Sequence, residues 1–200
     1  NQLQFYIMNP IQKQNEFRIP KRLQGIEKSM IRQIADRALP DSINFGLGEP
    51  DLQTPDCVRN EAIRVIQQEQ NGYTLQAGIA PLREKIITEY PHLNLQINDV
   101  VVTVGSSEAL FCALMTLAEE GDEVLVPNPC FPAYLGIIKL SGAKTVYYRL
   151  PAEKGFAFDI DEFKKQITDK TRVVMILSPS NPTGRVHTRE ELQQIAEVLN

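Results

Sequence analysis

Apolar residues in this chain follow two alternating rhythms. Short runs of β-branched and aliphatic side chains occur at 99–104 (Asp99-Val100-Val101-Val102-Thr103-Val104), 123–126, 145–148 and 172–177, each bounded by Gly, Pro or polar residues. Runs of this length and make-up predict buried strands. Between them the spacing is helical: Val58, Ala62, Ile63 and Ile66; a segment at 81–90 stopped by Pro91; Ala109, Leu110, Ala113, Leu114 and Leu117 within 106–118; a short segment at 161–167; and Leu192, Ile195 and Val198. Leu23, Ile26, Met30, Ile31 and Ile34 mark a further helix near the start. Strands alternating with helices predict an α/β fold with a mostly parallel sheet covered on both faces, that is, three layers.

Punctuation residues refine the boundaries. Thr54-Pro55-Asp56 reads as a helix start, with a capping hydroxyl, Pro at the first helical position and an early acid, and Asn71-Gly72 as that helix's end. Gly105 joins the 99–104 run tightly to the next helix, and Thr188-Arg189-Glu190-Glu191 has capping-box spacing. The last helical pattern runs to Asn200 without a stop signal, so the sequence reads as the front part of a longer protein.

Composition narrows the function. At 42% hydrophobic and 23% charged, 200 residues can bury a sizeable core. Twenty-one basic against 25 acidic residues, with no basic block, argue against a nucleic-acid partner. The aliphatic run at 173–177 is far too short for a membrane span, and Asn1-Gln2-Leu3-Gln4-Phe5 lacks a signal pattern, so a cytoplasmic protein with no membrane partner is expected. Cys57, Cys112 and Cys130 are odd in number and lack CxxC spacing, and His92 and His187 stand far apart; reduced thiols and no metal site are expected.

Three turns collect polar and aromatic residues where strands open at their C-terminal ends, the edge at which ligands of open α/β sheets bind. Ser178-Pro179-Ser180-Asn181-Pro182-Thr183-Gly184 holds a short amide on a turn stiffened by proline. Val104-Gly105-Ser106-Ser107-Glu108 places small residues at a helix N-terminus, a ready anion site, although Ser106 or Ser107 equally fits a plain helix cap. Asn128-Pro129-Cys130-Phe131-Pro132-Ala133-Tyr134 offers a flat ring for a flat ligand, or loop-packing aromatics.

Taken in order, Gly48-Glu49-Pro50-Asp51, Gly72-Tyr73 with Ala77-Gly78, Thr103–Leu110, Gly121-Asp122-Glu123-Val124, Pro129–Tyr134 and Ser180-Asn181-Pro182-Thr183-Gly184 resemble the class I/II aminotransferases, pyridoxal-phosphate enzymes of fold type I. The resemblance runs from about residue 20 to the end. It implies a three-layer sandwich with a mostly parallel central sheet, incomplete in this chain. Residues 1–50 would be an N-terminal arm and helix contributing to a small domain, and 51–200 the front part of the large, pyridoxal-phosphate-binding domain.

The resemblance also implies roles. Ser106 and Ser107 would hold the cofactor phosphate, Phe131 would stack on the pyridine ring, and Asn181, before a cis Pro182, would hydrogen-bond the ring's 3-oxygen. Tyr73 would reach the phosphate of the neighbouring subunit in a homodimer with shared active sites, and Gly48 would lie by the substrate carboxylate. The reaction implied is transfer of an amino group between an L-amino acid and a 2-oxo acid. In the family the lysine that carries the cofactor follows the Asn-Pro-Thr-Gly block, so no catalytic residue is expected within 1–200, and the chain alone is expected to be inactive. Lys139, Lys144, Lys154, Lys164, Lys165 and Lys170 read as solvated surface charge. Two alternatives stay open: a C–S lyase or related lyase on the same fold, and a non-catalytic binding or regulatory module.

Overall fold

The central strand is the most apolar run of the chain. In a computed structural model describing residues 19–200 apart from 27, 40, 44, 47, 49 and 69–71, Val124, Leu125 and Val126 are wholly buried in β1 (Glu123–Asn128). β1 pairs in parallel with β2 (Lys144–Arg149) on one side and β3 (Thr171–Val174) on the other, giving the order β2-β1-β3. A strand with neighbours on both edges and helices on both faces has no wet side, which is why its sequence is unbroken rather than alternating.

Period two along β1 sends its side chains into two separate cores. Val124 and Val126 pack with Leu114, Tyr134 and Ile138 beneath α4 (Gly105–Leu117) and α5 (Ala133–Ser141). Leu125 packs the opposite way, with Tyr148, Leu150, Phe163 and Ile195 against α6 (Ile160–Gln166) and α7 (Arg189–Leu199). The result is the expected α/β sandwich of three layers around a parallel sheet. From β1 the chain crosses by α5 to β2, then returns by α6 past β1 to β3. The strand order therefore reverses at β1/β3, the topological switch point where such sheets bind ligands.

Several expectations need correction. Residues 99–104 form no strand: Ile97–Asp99 is a 3-10 turn and the stretch beyond it is extended, with Val102 N–H donating to Ala77 O (3.0 Å) instead of a ladder partner. A strand requires a neighbour in register, and none lies beside it among the described residues. The ladder of β3 ends at Val174 rather than 177, although Met175 N–H still donates to Leu125 O (2.8 Å).

The helix expected across residues 23–34 is divided. A 3-10 turn at Lys21–Leu23 is followed by Gly25 at φ +72°, and α1 is confined to Met30–Ala35, capped by Ser29. α2 (Asp56–Gln67) has Pro55 as its N-cap and no side-chain cap bond, so Thr54 does not cap it. α3 spans Ala80–Glu89. Asn71, Glu49 and residues 1–18 of the expected arm lie outside the described residues.

Helix α5 replaces part of what the sequence marks as a turn. It ends at Gly142 in the left-handed region (φ +89°), where an added Cβ would stand 3.2 Å from Glu120 N. Large apolar side chains remain exposed on the front half of the chain, Ile43, Leu52, Tyr73 and Val104 among them, as expected for a sheet whose layers are only partly covered.

Candidate functional site

The first arm of the site is the start of α4. Gly105 opens the helix at φ +72°, and Val104, the N-cap residue, makes no side-chain cap bond. The Glu108 carboxylate reaches back to accept from the Val104 N–H, and Thr103 Oγ1 donates to Gly105 O (3.0 Å). Capping is thus handled by Glu108, and neither Ser106 nor Ser107 is used for it. Both serines are exposed, and their backbone N–H groups and hydroxyls have no protein partner among the described residues. Unpaired N–H groups at the positive end of a 13-residue helix, flanked by hydroxyls, form a donor set suited to a phosphate.

Beside them runs an apolar cleft of about 580 Å³ between α4 and the β3 exit, lined by Ser106, Leu110, Leu114, Tyr134, Met175 and Leu177. Tyr134, on the first turn of α5, is buried; burial foremost, with the nearby Cys130, pushes its phenol above the usual range. Burial likewise raises the Cys130 thiol. Phe131 meets Tyr134 edge-on, ring centres 5.5 Å apart at 75°. The Phe131 side chain lies along a neighbouring groove with Gly25, Ile26 and Gly136, so it reaches the cleft through Tyr134 rather than lining it.

The third arm is the turn after β3. Ser180 N–H donates to Arg185 O (2.8 Å), Gly184 N–H to Ser180 O (2.7 Å) and His187 N–H to Ser178 Oγ (3.0 Å), so the outgoing and returning legs are zipped together. Gly184 closes the bend at φ +69°, and the Asn181–Pro182 peptide is cis, as the resemblance implies. Asn181 stands exposed at the tip, its amide without a protein partner among the described residues. The fold therefore brings the Ser106, Phe131 and Asn181 turns to one edge of the sheet, at the switch point. Tyr73 is fully exposed, and a Cβ built on Gly48 would meet open space.

Two features escape sequence reasoning. Tyr134 belongs to a recognised block yet lines the cleft itself. Arg185 and Glu191, both half-buried, and the buried His187 form a polar cluster behind the Asn181 turn. Burial works to raise the Glu191 carboxyl, but the N–H of Thr188, the Arg185 guanidinium and the N–H of Phe158 together hold it below the usual carboxylate range. The capping-box spacing marks Glu191 only as a cap.

A parallel sheet between two helix layers, with free helix N–H groups, an apolar cleft and an exposed amide at its switch point, defines an α/β protein with an open site at the C-terminal edge of its strands. The family described as Aminotransferase class I and II matches residues 40–200, and the chain belongs to that family. It is 37% identical over 183 residues to a probable aspartate aminotransferase of Methanocaldococcus jannaschii, covering 90% of this chain and 48% of the relative. A putative aminotransferase of Bacillus subtilis is 39% identical over 182 residues, covering 88% and 47%. Among solved structures, the aspartate aminotransferase of Thermus thermophilus with maleate superposes with a TM-score of 0.84 at 30% identity, covering 90% of this chain and 50% of that one. An alanine aminotransferase of Pyrococcus furiosus gives 0.81 at 30% identity, covering 90% and 49%. The chain spans about half the length of the curated relatives it matches.

Proposed function

We propose that the whole protein is a pyridoxal-phosphate-dependent aminotransferase that moves an amino group between an L-amino acid and a 2-oxo acid. The observation that carries this reading is the pair of unpaired N–H groups at Ser106 and Ser107, freed by the Glu108 cap and set beside an apolar cleft at the switch point. Pyridoxal phosphate, when bound, supplies an electron sink for bonds at the amino acid's α-carbon.

The residues of this chain would bind and orient it. Ser106 and Ser107 hold the phosphate by backbone N–H and hydroxyl donors. Tyr134 forms the apolar wall beside the ring, with Phe131 packed edge-on against it, and Asn181 donates to the ring's 3-oxygen. Gly48 offers its backbone to the substrate carboxylate. Tyr73, exposed here, fits a role in a homodimer, donating its hydroxyl to the neighbouring subunit's phosphate. The same reading has residues 1–50 contributing to a small domain and 51–200 to the large one, in a cytoplasmic enzyme. Among the described residues, no helix is long and apolar enough to cross a membrane, and no group of three or more His, Cys, Asp or Glu side chains could hold a metal.

No lysine among the described residues lines the Ser106 cleft; Lys139 donates to Gln24 O and Lys144 to Glu123. The lysines among the described residues are given no part in the chemistry by this reading. The test is an amino-donor panel on the whole protein, read by the cofactor's absorbance and by oxo-acid product. Oxo-acid-dependent amine transfer is the expected result. Release of pyruvate and ammonia without an acceptor would instead mark a lyase.

A further inference from the structure

The Arg185, His187 and Glu191 cluster does more than start a helix. A capping-box glutamate needs one oxygen, and Glu191 Oε2 supplies it by accepting from the Thr188 N–H (3.0 Å), while Thr188 Oγ1 accepts from the Glu191 N–H (3.2 Å). The other oxygen, Oε1, accepts from the Arg185 guanidinium, and His187 Nδ1 lies 3.4 Å from Oε2 without forming a hydrogen bond. Capping glutamates ordinarily stand in water; the Glu191 side chain is 17% exposed, that of Arg185 21% and that of His187 1%.

Arg185 and His187 are the same residues whose backbone atoms close the turn, through Arg185 O to Ser180 N–H and His187 N–H to Ser178 Oγ. One carboxylate therefore fixes the returning leg to α7 at residues 185 and 188, and the returning leg fixes the outgoing one at Ser178 and Ser180, just before Asn181. Charge-assisted bonds in a sheltered site are the stronger and more directional kind.

We infer that Glu191 is the positioning residue of the Asn181 turn, setting through Arg185 where the Asn181 amide stands relative to α4 and β1. The inference rests on the proposed cofactor site for its functional meaning, but its geometry can be tested apart from it. Amide hydrogen exchange on the whole protein without cofactor is the first measurement. Glu191→Ala and Arg185→Met are each expected to speed exchange at Ser180 and Gly184 about tenfold or more, leaving Val124–Val126 unchanged. Arg185→Met matters because it leaves the α7 cap intact. Thr188→Val, which weakens only the cap, is expected to fray α7 and leave Ser180 and Gly184 as they were.

The second measurement is the pH midpoint of the bound cofactor's absorbance change. It is expected to move in Arg185→Met in the same direction as in Asn181→Ala. If Arg185→Met exchanges like the parent at Ser180 and Gly184, or if Glu191→Ala quickens only the amides of α7, Glu191 is a helix cap and the inference is overturned. A parent protein that takes up no pyridoxal phosphate sinks the proposed function, while the exchange data still decide the role of Glu191.

Discussion

Tyr148 in β2 donates its hydroxyl to the carbonyl of Met175, 2.9 Å away, at the point where β3 leaves the ladder. Met175 directly follows β3, which does not pair with β2 because β1 lies between them, so this bond spans the sheet from the α6/α7 core. Burial foremost pushes the Tyr148 phenol well above its usual range, so the hydroxyl remains a donor at any working pH. Met175 and Leu177 line the cleft, and the Asn181 turn follows directly. Replacing Tyr148 by Phe leaves a sheltered carbonyl unpaired and is expected to cost roughly 1–3 kcal/mol of stability. A urea midpoint unchanged from the parent would show that water satisfies Met175 O.

The two serines at α4 make a direct test of the phosphate site. Ser106→Ala with Ser107→Ala removes two hydroxyl donors to a dianion and keeps the backbone N–H groups. Hydrogen bonds to charged groups contribute about 1.5–3 kcal/mol each, so losing both should lower affinity for pyridoxal phosphate by about a hundredfold or more, with the melting temperature of the cofactor-free protein barely moved. Because neither hydroxyl caps α4, a large loss of stability would count against the assignment.

Asn181→Ala separates binding from electronics. The amide sits at the tip of a turn whose hydrogen bonds do not involve its side chain, so the fold should be indifferent to its removal. The expected change is a shift in the pH at which the bound cofactor's absorbance changes, with affinity altered only severalfold. A titration identical to the parent's would remove Asn181 from the site.

Acid should loosen the base of the sheet. The hydrogen bond from Lys144 (2.9 Å), that from Thr168 (2.7 Å) and the Lys144 and Lys170 charges hold the Glu123 carboxyl below the usual carboxylate range, against a smaller opposing effect of burial. A carboxyl whose folded value is depressed adds stability above its unfolded value, about 4.3, and that contribution is lost as pH falls through the lower folded value. Glu123→Gln should therefore lower stability at neutral pH and flatten the acid limb of a stability profile between about pH 5 and 2. An acid limb as steep as the parent's would place the linkage elsewhere, at Asp159 or Glu191, whose carboxyls are also held low.

Residues 1–200 alone should take up no stoichiometric covalent label when incubated with pyridoxal phosphate and reduced with borohydride. Lys139, Lys144 and Lys165 are engaged with Gln24 O, Glu123 and Glu162, away from the Ser106 cleft. Peptide mapping that finds one lysine fully labelled would overturn this.

Elements that satisfy themselves locally were legible without coordinates. The helices at 106–118 and 161–167 appear within a residue of their expected bounds, and Thr188 and Glu191 form the capping box that their spacing announces. Where an element depends on a neighbour, the pattern misled. Residues 99–104 have the composition of a strand, but a ladder is a property of two strands and no partner among the described residues is in register with them. Around Phe131 the prolines signal a turn, and burial of Tyr134 and Ile138 against β1 continues the chain as α5.

The sequence by itself determined the alternation of strand and helix, the buried character of β1 and the three turns rich in Ser, Phe and Asn, because hydrophobic period, glycine freedom and proline restriction act within a few residues. Tertiary structure decided the rest. Placing β3 beside β1 rather than beyond β2 created the switch point that joins the Ser106, Phe131 and Asn181 turns on one edge. Pairing Glu108 with the Val104 N–H freed the serines from capping, and folding α7 back put Glu191 against Arg185. Each of these is a choice between partners, and only the folded chain shows which partner is within reach.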